Sequence, residues 1–107
     1  MSDNVFDLGT LRDFFAKEEI SSTNASQGLT ASVYSPSGKK SAEYALVTVE
    51  DADIRFWPTG DAPSVSSGHY ADAGAIIKLA GANQVRNFKF ISAVADDHAA
   101  LKVSYGK

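Results

Sequence analysis

The chain contains no cysteine in its 107 residues. A disulfide framework and a thiolate zinc site are therefore excluded, and redox chemistry leaves no mark from which to read a compartment. Basic residues are few and scattered: 10 Lys and Arg stand against 13 Asp and Glu, for a net charge of -3. Neutralising phosphates needs clustered cations, so this balance argues against direct binding of nucleic acid. No run approaches the roughly 20 apolar residues of a membrane-spanning helix. Nor does a basic start lead into a long apolar stretch, so a soluble protein without an address signal, and without a membrane partner, is expected. Only two histidines occur, His69 and His98, and their spacing puts no pair of imidazoles on one helix or strand face. There is no internal repeat. One domain is expected at this length, with a core small enough for contact with a partner to contribute to its stability.

The residues that are present read mainly as strands. The most informative stretch is 43–57, where Ala45, Val47 and Val49 alternate with Tyr44, Leu46 and Thr48, the period of an extended chain. Glu50-Asp51-Ala52-Asp53 interrupts this run, and Ile54-Arg55-Phe56-Trp57 resumes it. Turn-forming residues between two β-formers predict a hairpin or the corner of a sandwich. Leu29, Ala31 and Val33 predict a one-sided strand that ends at Ser35-Pro36-Ser37-Gly38, where proline and glycine mark a turn. Further strands are expected over 75–80, 86–94 and 100–105, with Leu101, Val103 and Tyr105 on one face and Asp96-Asp97-His98 turning the chain before the last. The stretch 58–68 is a long loop for so small a domain, and such loops often carry function. The pattern predicts an all-β antiparallel β-sandwich, jelly-roll-like, over residues 21–107.

The first twenty residues differ in kind. Leu8, Leu11, Phe14 and Phe15 recur at spacings of three and four, and Thr10 and Asp13 form a weak capping box. Two readings stand side by side: a short amphipathic helix on its own core, or a docking arm that lies on a neighbouring subunit. Residues 21–28 are polar and read as a linker or a frayed edge strand.

Few constellations here carry chemistry. No serine sits in a Gly-x-Ser-x-Gly elbow, and no pair of carboxylates is singled out for acid-base work, so an enzyme is not expected, nor a cofactor. Asp51 and Asp53 share a side if extended, but the simple reading is a solvated acidic corner and not a calcium site. His69, next to Gly68, reads as a half-buried hydrogen-bonding residue or as a contact at a subunit boundary. Phe88 and Phe90 read as core. Trp57 and Tyr70 are the aromatics placed to stack on a sugar ring or to anchor a protein interface.

Read together, residues 45–56 resemble a group of small tailed-phage virion proteins. The later elements agree in order: Gly60, Pro63, residues 66–69, Gly74, Ile77-Lys78-Leu79, Val85-Arg86-Asn87-Phe88 and residues 100–105. The resemblance covers 29–105 and leaves out the N-terminal twenty. It implies a capsid decoration or cement subunit on the virion surface, present in the host cytoplasm during assembly. Its partners would be the major capsid protein and its own copies, as a dimer or trimer. It supplies no catalytic residue. The candidate contact residues are then Phe6, Leu8, Leu11, Phe14, Phe15, Trp57 and Tyr70. Trp57-Pro58 and Tyr70 depart from the group, which has a more polar strand continuation and an aliphatic residue there. A carbohydrate-binding or receptor-contacting module, or a tail or neck accessory protein, is the alternative.

Overall fold

The computed structural model describes residues 14–37 and 41–107. In chain order its elements are β1 (Phe14–Ser21), β2 (Gln27–Gly28), α1 (Ala31–Tyr34), β3 (Tyr44–Glu50), β4 (Ile54–Trp57), β5 (His69–Ala71), β6 (Ile76–Ala80), α2 (Ala82–Asn87), β7 (Lys89–Ser92) and β8 (Ala100–Gly106). The strands form two four-stranded sheets, in the orders β1-β8-β3-β6 and β2-β7-β4-β5. Every pairing is antiparallel. The sheets pack on one another, and the protein is an all-β sandwich.

The alternating rows explain the packing. Ala45, Val47 and Val49 on β3 and Leu101, Val103 and Tyr105 on β8 are buried and adjacent in register. Ile54, Phe88 and Phe90 meet them from the other sheet. Each such large apolar side chain contributes about 1.5–3 kcal/mol when fully buried, against about 0.5–1.5 kcal/mol net for a typical hydrogen bond. The inner rows therefore hold the sheets together.

Every connection but that between β4 and β5 passes from one sheet to the other. The acidic stretch after β3 is accordingly a sandwich corner and not a hairpin. Asp51 takes φ 75° there, and Asp96 takes φ 65° in the turn before β8, the left-handed conformation that aspartate tolerates better than most residues.

Three expectations are corrected. Residues 14–20, included in the terminal helix or arm because Phe14 and Phe15 continue the spacing of Leu8 and Leu11, belong to β1, which pairs along its length with β8. The backbone groups on the free side of β8 require partners, and that ladder overrides a weak helical period. The domain thus takes in residues before 21. Phe6, Leu8 and Leu11 lie outside the described residues. Second, the one-sided strand expected from Leu29 is instead the short helical turn α1, which brings Tyr34 over the end of the core, 5.9 Å from the Tyr105 ring. Third, 86–94 is split between α2 and β7, because Val85 and Phe88 both reach the core from a chain that is changing sheets.

One side of the sandwich is closed by polar contacts. The Tyr105 hydroxyl donates to Glu18 Oε2, which also accepts the Thr30 N–H at 3.2 Å. Burial first, and this carboxylate second, push the Tyr105 hydroxyl well above its ordinary value. The tie holds β1 against the segment leading into α1.

Gly68 begins the return into β5 at φ 130°, where an added Cβ would lie 3.2 Å from Phe56 N, Phe56 O and the Pro63 side chain. Gly68→Ala is expected to lower stability by about 1–3 kcal/mol. Thermal unfolding should show this as a fall of about 4–8 °C per kcal/mol.

Candidate functional site

The described chain has no group of three or more His, Asp or Glu positioned to hold a metal ion. Its polar side chains gather in three places instead: the outer face of the β4–β5 pair, the corners at one end of the sandwich, and the side where β5 and β6 are the outermost strands.

On the outer face, alternation sends Ile54 and Phe56 inward and Arg55 and Trp57 outward. The register sets Arg55 opposite Tyr70. The Arg55 guanidinium lies 5.1 Å from the centre of the Tyr70 ring, while its Nε and Nη1 donate to Val65 O at 3.1 Å and Gly68 O at 3.0 Å. One side chain thus covers the tyrosine and pins the 58–68 loop. The Tyr70 hydroxyl donates to Asp53 Oδ2, and the Ala73 N–H donates to Oδ1 at 2.8 Å. These two bonds, the tyrosine first, hold the Asp53 carboxyl below its ordinary value; the carboxylate in turn raises the Tyr70 hydroxyl.

Trp57 is half-buried at the far end of β4, with its ring edge-on to His69 at 5.1 Å. His69 is exposed, not half-buried, and also stacks 5.4 Å from Phe56. Trp57 and Tyr70 therefore share the outer face but do not touch. Phe14, 38% exposed, lies on the other sheet against Tyr44, edge to face at 5.8 Å. Phe15 packs on the core, with Lys107 Nζ 5.2 Å from its ring centre. The described candidate contact residues, Phe14, Phe15, Trp57 and Tyr70, are thus divided between the two sheets and form no single site.

The corner loops 22–26, 51–53, 72–75 and 93–99 all lie at one end of the sandwich. They carry Asp51, Asp53, Asp72, Asp96 and Asp97, and no lysine or arginine. Two of the corners are stapled together: Asn24 Nδ2 donates to Asp96 Oδ1 at 2.8 Å, and Asp96 N–H donates to Asn24 Oδ1 at 2.9 Å. Beneath them, Ala99 N–H donates to Ser22 Oγ at 2.8 Å, Ser22 Oγ lies 2.7 Å from Ser92 Oγ, and Ser92 Oγ lies 2.9 Å from His98 Nδ1. Only one direction satisfies both hydroxyl protons within this chain: Ser22 donates to Ser92, and Ser92 to His98 Nδ1, which puts the imidazole proton on Nε2. A serine beside a histidine invites a catalytic reading. Ser92 is fully buried, however, and its hydroxyl is committed to this relay, whose role is to join the corner after β1 to the corner after β7.

Arg55 and the Ser22–Ser92 relay were not among the residues picked out from the sequence. An arginine at an alternating position inside an apolar strand was the available signal for the first; the second joins residues 70 apart and left none. Comparison with protein-family models, with curated proteins and with solved structures finds no match to this chain.

Ser22→Ala removes the middle of the relay and leaves the buried Ala99 N–H without its acceptor. A loss of about 1–3 kcal/mol is expected in denaturant unfolding. For the Asp53–Tyr70 pair, the lowered carboxyl favours the folded state above the ordinary Asp value of 3.8, an advantage lost as pH falls through the lower folded-state value. The raised hydroxyl favours it below 10.0, an advantage lost as pH rises through the higher folded-state value. Tyr70→Phe should therefore melt slightly lower than the parent between these limits, by no more than a few degrees because both groups face solvent. The two melting curves should converge at the acid extreme.

Proposed function

We propose that this protein is a jelly-roll accessory component of a tailed-phage virion, a cement subunit that binds the outside of the head and stabilises it. The observation that carries the reading is the strand order. Eight strands among the described residues, in two four-stranded sheets with all connections but one crossing between them, support the reading as a double-sheet jelly roll, an arrangement found in viral capsid domains and also in lectins. A fold does not assign a function by itself. The choice between those two rests on the resemblance of residues 45–56 and the later elements to small virion proteins.

The physics of cement suits such a domain. A decoration subunit bridges neighbouring shell proteins, and many modest contacts add up when each is held close by the others. Phe14, exposed beside Tyr44 where the chain enters β1, starts the candidate contact, and Phe6, Leu8 and Leu11 extend it. The major capsid protein is the proposed partner, with copies of the subunit associating as a dimer or trimer. The glycan-binding alternative has less support, because Arg55 lies over the Tyr70 ring and Trp57 is half-buried against His69.

The test mixes the purified full chain with expanded shells that lack it and follows co-sedimentation and the temperature at which the shells open. Saturable binding that raises the opening temperature is expected. Deletion of residues 1–13, which spares β1, is expected to abolish that binding. Absence of binding by the full chain would overturn the head assignment, and normal binding by the deletion variant would remove the N-terminal residues from the contact.

A further inference from the structure

The two sides of the sandwich are not equivalent. Beside β5 and β6 an open groove of about 680 Å³ lies between the sheets, with Phe56 and Ala71 on one wall, Ile76 and Ile77 on the other and the 72–75 corner as its floor. There Gln84 Oε1 caps the Ala80 N–H at 3.0 Å, so the β6 edge offers no free ladder. Beside β1 and β2 the gap between the sheets is filled by the segment that leads into α1 and by its bond to Glu18. Filling the gap leaves uncovered the rim of β1 itself, the outermost strand of its sheet.

The ladder fixes which backbone groups that rim presents. The Ser22 N–H donates to Ala99 O at 2.8 Å, and these two residues continue the β1–β8 register. Bonded pairs recur at every second residue of an antiparallel ladder, so Ala16, Glu18 and Ile20 turn their backbone groups to β8, and Lys17, Glu19 and Ser21 turn theirs outward. Ser21 O already accepts from Gln27 Nε2 at 2.8 Å. Among the described residues the outward N–H and C=O groups of Lys17 and Glu19 have no partner; the ion pair of Glu19 is made by its carboxylate, 3.9 Å from Lys102 Nζ. Both residues are exposed, whereas Ala16 and Ile20, on the inner face, are half-buried at the margin of the core.

Charge and apolar pattern select a second copy as the occupant. Two β1 strands running antiparallel about a two-fold axis at Glu18 place Lys17 opposite the partner's Glu19, and Glu19 opposite the partner's Lys17. Each is a bonded pair, because both residues turn their backbone outward. On the inner face the same register sets Ala16 against the partner's Ile20, apolar on apolar. A shift of two residues fails in either direction: one sets Lys17 against Lys17 and Ala16 against Glu18, the other Glu19 against Glu19 and Glu18 against Ile20. Like charges directly opposite are destabilising. In the favoured register Glu18 meets its own counterpart, but in each copy that carboxylate already accepts from Tyr105 and Thr30. A charged edge strand ordinarily repels its like; opposite signs two residues apart make this one self-complementary. We infer that β1 is the contact between two copies of this chain, which pair edge to edge into one continuous eight-stranded sheet as a closed dimer. The dimer rests on the proposed function only in being the association of copies that reading contains, and it forms without a shell.

The test is sedimentation equilibrium of the full chain over concentrations reaching the millimolar range, with amide exchange followed alongside. The mass is expected to rise with concentration from 11.3 kDa for one chain to twice that and no further, while the Lys17 and Glu19 amides gain protection. Lys17→Glu sets glutamate against Glu19 on both sides of the axis, and Glu19→Lys sets lysine against Lys17; each is expected to weaken the dimer about tenfold. The two substitutions together restore opposite signs and should return the dimer to within about threefold of the parent. Both side chains are exposed, so all three variants are expected to melt cooperatively, as the parent does. A chain that stays monomeric at millimolar concentration would overturn the inference, as would a trimer, single variants that dimerise like the parent, or a double variant that does not recover. Failure to bind shells by a chain that dimerises in this way would count against the proposed function alone, and a monomer that binds shells against the dimer alone.

Discussion

The two sheets cover each other's apolar faces, and the rest of the molecule follows from that contact. Among the described residues neither sheet has a second layer of helices; α1 and α2 are a single turn and little more. The inner rows of β3 and β8 must therefore meet Ile54, Phe88 and Phe90 directly. Because almost every connection crosses between the sheets, the corners and the core depend on one another. A strand that slipped by one residue would turn its whole apolar row outward and would pull a corner out of shape as well. The Ser22–Ser92 relay and the Asn24–Asp96 staple sit where two of these crossings come together, and they tie strands that are distant in sequence.

The same construction decides where surfaces for partners can be. Between the sheets the closed side is occupied by the chain's own contacts, with Tyr105 and Glu18 at their centre. The end that carries the aspartates, the groove beside β6 and the exposed ring of Phe14 remain presented to solvent or to another molecule. The groove shares the 72–75 corner with the aspartate end, and both lie apart from Phe14, so one small domain offers contacts in more than one direction. That property suits a subunit that bridges neighbours, which is the function we propose. On the outer face of β4 and β5, by contrast, Arg55 satisfies Tyr70 and the long loop at once, and the aromatics that stood out in the sequence are largely engaged within the molecule.

Much of the fold was legible in the residues. The rows Ala45-Val47-Val49 and Leu101-Val103-Tyr105, the acidic corner after Glu50 and the strand over 75–80 could be read because strand alternation and turn chemistry are local properties of the chain. Phe88 and Phe90 were legible as core for the same reason. β1 was not, since the apolar spacing of Leu8, Leu11, Phe14 and Phe15 imitates a helix, and only the free edge of β8 turns Phe14 to Ile20 into a strand. The helical turn at Ala31 was hidden likewise, because Tyr34 must cross the end of a core that its neighbours in sequence do not form.

The candidate surfaces divide in the same way. Sequence alone determined the all-β class, the absence of cysteine chemistry, the acidic balance and the residues able to line a core, because composition and period act through each residue and its near neighbours. Which strands lie at the edges, which side of the sandwich stays open, and that Arg55 reaches Tyr70 while Ser22 reaches Ser92 were decided by tertiary structure. Those facts depend on the order in which eight strands pair, and pairing order is a property of backbone partners distant along the chain, which no local pattern records.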